Sequence, residues 1–332
     1  MRTARLPARI TWLVLAAAAP LPPLAAQSAA DRMAVLAFSD TLARATGVEA
    51  IRALEGQKLP GTIGLIRASL AALCGIALPL IACSDRPPSG SGNAGSGHTA
   101  IAVTEGFLPV PGGRVWYRLS GDRLATPVIL LHGGPGYSSF YLRTLDSLGV
   151  DRPTIRYDQL GSGKSGQTTN TLLFTIPHFV AELDSLRRAL ATSRVHLLGH
   201  SWGTILALEY YRVHPEHVAS LILASPALDI PAWERHAREL VRTLPDSAQR
   251  AIRLREADGN FAAPDYQAAL ADFYGRYVWR RPVQADLDST FQTVNQAIYN
   301  YMQGPSEFTI TGTLKRYDAP PFLPQVQVPT LY

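Results

Sequence analysis

Gly199-His200-Ser201-Trp202-Gly203 is the stretch of this 332-residue chain whose residue types could do covalent chemistry. A serine hydroxyl is a weak nucleophile unless a base and a site for the developing oxyanion converge on it. Gly-x-Ser-x-Gly meets that need on a sharp strand-to-helix turn, which strains the serine backbone and exposes its hydroxyl above a sheet. Glycines flank the serine because a side chain there would strike the neighbouring elements. The surrounding residues supply this setting: Val195-His196-Leu197-Leu198 reads as a short buried strand and Ile205 to Tyr211 as a helix. Ser201 is the candidate nucleophile.

Such a nucleophile also needs backbone N–H groups aimed at the oxyanion. Pro127-Val128-Ile129-Leu130-Leu131 is a continuous apolar run of the kind buried in a parallel sheet, and it delivers His132-Gly133-Gly134-Pro135-Gly136. His132 closes that strand and reads as structural. The strand Thr154–Asp158 enters Gln159-Leu160-Gly161-Ser162-Gly163-Lys164-Ser165. A phosphate loop would need a glycine where Asp158 stands, so a tight solvent-side turn is expected there. Ile176, Val180, Leu183, Leu186 and Leu190 recur at helical spacing, and Val218–Ala224 is the next buried strand.

Strands alternating with helices predict a doubly wound, mostly parallel α/β sheet. From Pro226 to about Pro305 only helical stretches remain: Trp233–Leu244, Ala248–Ala257, Tyr266–Trp279 and Leu287–Met302. They predict an all-helical cap inserted after the strand at 218–224, excluding water and shaping substrate entry. Trp233, Phe273, Tyr274, Tyr277 and Trp279 read as cap core. The sheet resumes near Val326–Leu331.

The chain is 47% hydrophobic, enough for a sizeable core, and carries a net charge of +5. Residues 1–97 hold nine Lys and Arg against five Asp and Glu, whereas the remainder is nearly balanced. The folded part therefore has no electrostatic footprint for nucleic acid. Cys74 and Cys83 both lie in the leader, so neither a disulfide framework nor a Cys-based metal site is available to the fold. No metal and no cofactor are expected.

The leader reads as two export signals. In residues 1–27, Arg2, Arg5 and Arg9 precede the apolar run Ile10–Ala19, as in a secretory signal. Residues 28–57 are unassigned beyond a possible amphipathic helix. In residues 58–83, Lys58 and Arg67 precede an apolar run ending Leu80-Ile81-Ala82-Cys83, which resembles a bacterial lipobox with Cys83 as the lipidated residue. Residues 84–100 form a Gly/Ser-rich tether. The expectation is an exported, periplasmic or membrane-anchored lipoprotein that contacts membrane only through a lipid anchor or signal segment. The alternative, if translation starts further in, is a cytoplasmic protein. The rest divides into core (101–226), cap (227–305) and a return to the core (306–332).

Taken together, His132-Gly133-Gly134-Pro135-Gly136, Tyr157 to Ser165, Gly199 to Gly203 and Gly304-Pro305-Ser306-Glu307-Phe308-Thr309-Ile310-Thr311-Gly312 resemble the proline iminopeptidase family, in its tricorn-interacting branch. These are serine aminopeptidases of the α/β-hydrolase fold that release proline or another N-terminal residue from short peptides. The resemblance spans about residues 104–332. It implies Ser201 as nucleophile, the backbone N–H groups of Gly134 and Trp202 as oxyanion donors, and Glu307 as the anchor for the substrate's α-ammonium. A buried carboxylate near the nucleophile would select free amino termini and reject internal peptide bonds.

In this fold the triad acid and histidine follow the serine in that order, and both are expected beyond Tyr332, after C-terminal strands this chain lacks. His214 and His217 stand about 20 Å down the elbow helix at 1.5 Å per residue. His236 begins the cap, and the sequence gives it no catalytic role. Asp229 follows the strand ending at Ala224, where some relatives of the fold carry their acid. The chain is thus expected to be a fragment of an aminopeptidase acting on short peptides with a free N-terminus. The alternatives are an esterase or amidase on the same fold, and a non-catalytic peptide-binding lipoprotein.

Overall fold

The computed structural model describes residues 101–122, 124–279 and 285–332. Both leader signals, the 28–57 segment, Cys83 and the tether lie outside the described residues.

Seven strands form one sheet: β1 (Val103–Val110), β2 (Gly113–Ser120), β3 (Val128–Leu131), β4 (Thr154–Tyr157), β5 (Val195–His200), β6 (Val218–Ala224) and β7 (Thr330–Leu331), in spatial order β1-β2-β4-β3-β5-β6-β7. β1 and β2 form an antiparallel hairpin and β2 lies antiparallel to β4. From β4 through β3, β5 and β6 to β7 all pairings are parallel. Every residue of β3 and β4 is buried, as expected where helices cover both faces; in β4 this includes Arg156, whose guanidinium pairs with Asp146 at 2.9 Å. The order steps outward from β3 in both directions, the doubly wound pattern of the α/β-hydrolase fold.

Helix α1 (Ile176–Ala189) starts where the Thr175 hydroxyl accepts from His178 N–H, and it buries Phe179, Val180, Leu183 and Leu186. Helix α2 (Trp202–Val213) follows β5 without a linker and is buried along most of its length. With β3, β4 and β5 these helices form the main core around Ile129, Leu131, Tyr157, Leu197, Trp202 and Leu206.

The cap consists of α3 (Ile230–Val241), α4 (Asp246–Asp258), α5 (Pro264–Phe273), α6 (Ala285–Gln292) and α7 (Gln296–Met302). It has an apolar core of its own, including Val241, Leu244, Ile252, Tyr266, Phe273 and Phe308. Two details differ from expectation. The stretch 266–279 passes from α5 into a π-helical turn at Tyr274–Val278. The stretch 287–302 is two helices, because the Asn295 side chain accepts from Ile298 N–H and so starts a new one. The returning strand is only Thr330–Leu331. The preceding residues Pro320–Gln325 form a 3₁₀ turn, and Pro324 and Pro329 have no N–H to give a ladder.

Candidate active site

Ser201 sits between β5 and α2 with φ 53° and ψ −120°, a conformation that side-chain-bearing residues avoid. The surroundings enforce it. Ser201 N–H donates to Ala224 O on β6 at 3.0 Å, and its carbonyl accepts from both Thr204 N–H (2.8 Å) and Thr204 Oγ1 (2.6 Å). The turn can be this tight because of its glycines. A Cβ on Gly199 would overlap the Gly203 carbonyl, and one on Gly203 would overlap the Leu131 carbonyl of β3. The elbow is pressed against the strand that delivers the glycine loop.

That loop faces the serine across a small pocket. Gly134, Ser201, Trp202 and Glu307 all line it, with Gln303 and Trp233 among the other walls. The four residues implied by the resemblance thus converge on one cavity, although Glu307 is 106 residues beyond Ser201. Trp202 is the first residue of α2, so its N–H has no acceptor within the helix. Gly133 N–H is already spent on the Tyr141 hydroxyl (2.8 Å), whereas Gly134 N–H makes no hydrogen bond among the described residues. Two unspent donors therefore flank Ser201.

The Tyr141 hydroxyl that accepts from Gly133 itself donates to His200 Nδ1, 2.7 Å away. Burial, and then the charge of nearby His132, lowers the His200 pKa to about 4, so the ring is neutral. His132 is structural in detail: its Nε2 accepts from Gln159 N–H (3.0 Å), which leaves the proton on Nδ1 to reach Gly133 O (2.8 Å).

The stretch after β4 is not a solvent-side turn. Asp158, Gln159, Leu160, Ser162 and Ser165 are all buried. The Asp158 carboxylate accepts from Ser139 N–H (2.7 Å), Ser139 Oγ (2.6 Å) and Lys164 N–H (2.8 Å), which holds the turn under the glycine loop. Gln159 Oε1 accepts from Trp202 Nε1 (2.8 Å), and Gln159 Nε2 donates to His132 O (3.3 Å). Gln159 therefore bonds both the elbow and the end of β3. Polar residues in a Gly-rich segment signal a loop, and nothing local signals that the loop is covered.

Glu307 occupies an aromatic setting. Tyr299 Oη donates to Glu307 Oε1 at 2.7 Å, Trp233 Nε1 donates to the Glu307 carbonyl at 2.9 Å, and Glu307 N–H donates to Tyr274 Oη at 3.3 Å. Burial pushes the carboxyl above its ordinary range, and the Tyr299 hydrogen bond opposes that. Trp233 thus lines the pocket and Tyr274 bonds the Glu307 main chain, while Phe273 lies in the cap core with both Tyr274 and Tyr277 packed against it. Asp229 caps α3 by accepting from Ala232 N–H (2.7 Å). His217 Nδ1 bonds Ser193 O at 2.9 Å, far from the pocket. The Ser201 hydroxyl itself makes no hydrogen bond among the described residues. Among those residues no cluster of three metal-ligating side chains exists, and no helix is long and apolar enough to cross a membrane.

A family model described as the alpha/beta hydrolase fold matches residues 126–302. The chain is 42% identical over 232 residues to a proline iminopeptidase of Heyndrickxia coagulans, covering 69% of this chain and 81% of that one. It is also 34% identical over 239 residues to a proline iminopeptidase of Saccharolobus solfataricus, covering 70% and 76%. The chain belongs to the proline iminopeptidase family. Among solved structures it is similar to VinJ (33% identity, TM-score 0.65) and to a proline iminopeptidase of Mycobacterium smegmatis (31%, TM-score 0.61), each covering 68% of this chain and 80% of the other. Membership in the family makes the protein a hydrolase by kind and accounts for the cap and elbow together.

Proposed function

We propose that this proline iminopeptidase relative is a serine aminopeptidase that removes the first residue of short peptides with a free N-terminus. The observation that carries the reading is the convergence of Ser201 and the Glu307 carboxylate on one pocket. In the proposed step Ser201 Oγ attacks the first carbonyl carbon, and Gly134 and Trp202 N–H hold the oxygen as it becomes negative. The C–N bond breaks as the proton lost by the Ser201 hydroxyl passes to the departing amine, and water then cleaves the serine ester, releasing the first residue as its acid and returning a proton to Oγ. Glu307 pairs with the α-ammonium and fixes which bond reaches Ser201. An exported protein tethered through a lipid on Cys83 is the setting we propose from its sequence.

The test compares peptides with free and N-acetylated ends in wild type and Glu307→Gln. Loss of the free-amine preference in the variant supports the reading. An unchanged preference overturns it in favour of an esterase or amidase.

A second reading, peptide binding without turnover, is favoured by the Ser201 hydroxyl lacking a base partner among the described residues. A fluorophosphonate probe separates the two: labelling that disappears in Ser201→Ala supports the enzyme, and failure to label supports the binder.

A further inference from the structure

Gln303 has a backbone that is fully engaged and a side chain that is not. It directly follows α7, where its N–H donates to the Tyr299 carbonyl (2.8 Å) and its own carbonyl accepts from Gly312 N–H (3.0 Å). The residue is only 6% exposed. Its carboxamide nevertheless makes no hydrogen bond among the described residues, and it is part of the wall of the Ser201–Glu307 pocket. Buried carboxamides are ordinarily paired, and one held on a rigid backbone at a cavity wall is set to pair with what enters that cavity.

Position within the pocket decides which part of a substrate it meets. Tyr299 is the common support: its carbonyl holds the Gln303 backbone, and its hydroxyl holds Glu307 Oε1. Gln303 and Glu307 are therefore both anchored to Tyr299 of α7, while the proposed oxyanion donors come from the glycine loop and α2. Glu307 Oε2 accepts no hydrogen bond among the described residues. An α-ammonium has two or three N–H donors, more than one free carboxylate oxygen takes up well.

We propose that Gln303 is a substrate-binding residue whose Oε1 is a second acceptor for the α-ammonium, beside Glu307. The proposal rests on the aminopeptidase reading of this pocket. It makes selection of free amino termini a property of two side chains, one charged and one neutral. An N-acylated substrate would lose the carboxylate pairing and offer Gln303 one weak donor, or none when its first residue is proline.

The test measures binding of L-prolinamide and N-acetyl-L-prolinamide by calorimetry, in the full chain carrying Ser201→Ala so that no turnover intervenes. Gln303→Leu is expected to weaken prolinamide about tenfold or more, the usual effect of losing a hydrogen bond to a charged group, and to leave the acetylated ligand unchanged. Gln303→Glu supplies a gain that misfolding cannot mimic: prolinamide should bind several-fold tighter, with the acetylated ligand again unchanged. If the parent prefers prolinamide but neither variant changes that preference, or if Gln303→Leu weakens both ligands equally, the role of Gln303 is overturned and the Glu307 reading stands. If the parent itself binds both ligands alike, the aminopeptidase reading fails, and this proposal with it.

Discussion

The Tyr299 hydroxyl donates to Glu307 Oε1 over 2.7 Å, and this bond opposes the burial that pushes the Glu307 carboxyl upward. Only the ionised carboxylate pairs with an ammonium. Binding of free-amine peptides should therefore weaken as pH falls through the raised Glu307 pKa, while N-acetylated ligands show no such limb. Tyr299→Phe removes the opposing bond and should shift that limb to higher pH. A pH series of binding constants for both proteins checks the direction, and a limb that stays in place or moves down would count against it.

A second carboxyl gives a prediction about stability. Glu182 on α1 is fully buried, which raises its pKa from 4.5 to about 8, against the pull of the Leu160 N–H bond at 3.0 Å. The folded state thus holds a proton that the unfolded state has lost between pH 4.5 and about 8. Stability from this group is complete below the lower value and falls by up to about 1.4 kcal/mol per pH unit across the window. Glu182→Gln keeps an acceptor for Leu160 and should flatten the decline. Urea unfolding at several pH values measures both slopes.

The strained Ser201 backbone leads to an opposite trade. At φ 53° a glycine fits without penalty, and the elbow's hydrogen bonds all come from backbone groups or Thr204. Ser201→Gly should abolish phosphonate labelling while raising stability by about 1 kcal/mol, the lower end of such strain. For a domain of this size that is a melting shift of about 2–4 °C. A lower melting temperature would show that the hydroxyl or Cβ contributes more than the strain costs.

Gln159→Ala leaves the indole N–H of Trp202 without its acceptor, at a cost of about 1–3 kcal/mol for a buried donor. Because the same residue carries a proposed oxyanion donor, acylation of Ser201 should slow more than substrate binding weakens. Stopped-flow phosphonate labelling beside ligand affinity separates the two effects. Equal loss in both would reduce Gln159 to a packing role.

Local signals carried much of this protein. The apolar runs of β3 and β6, the helical spacing of α1 and the glycines around Ser201 are each set by neighbours in sequence, and each could be read there. The resemblance added Glu307, which nothing local distinguishes from a surface glutamate. Gln159, Tyr299 and Gln303 were illegible for a different reason. Their roles come from contacts that close only in the folded chain, such as Gln159 with Trp202 across 43 positions. Trp233 and Tyr274 have the composition of cap core, and only the direction of an indole N–H and a phenol oxygen shows that they also bond the Glu307 main chain. The π-helical turn that begins at Tyr274 has no signature in residue type.

The Glu307 main chain is bonded on both sides to the cap, through Trp233 and Tyr274, and Phe308 packs 4.8 Å from the Phe273 ring in the cap's own core. Ser201 belongs to the sheet. The two ends of the proposed recognition are thus mounted on different elements, cap and sheet, and the gap between them works as a gauge one residue long. Seating of the cap sets that gauge, so substitutions deep in the cap core, far from any substrate atom, should change which bond is presented to the serine before they change how fast it is cut.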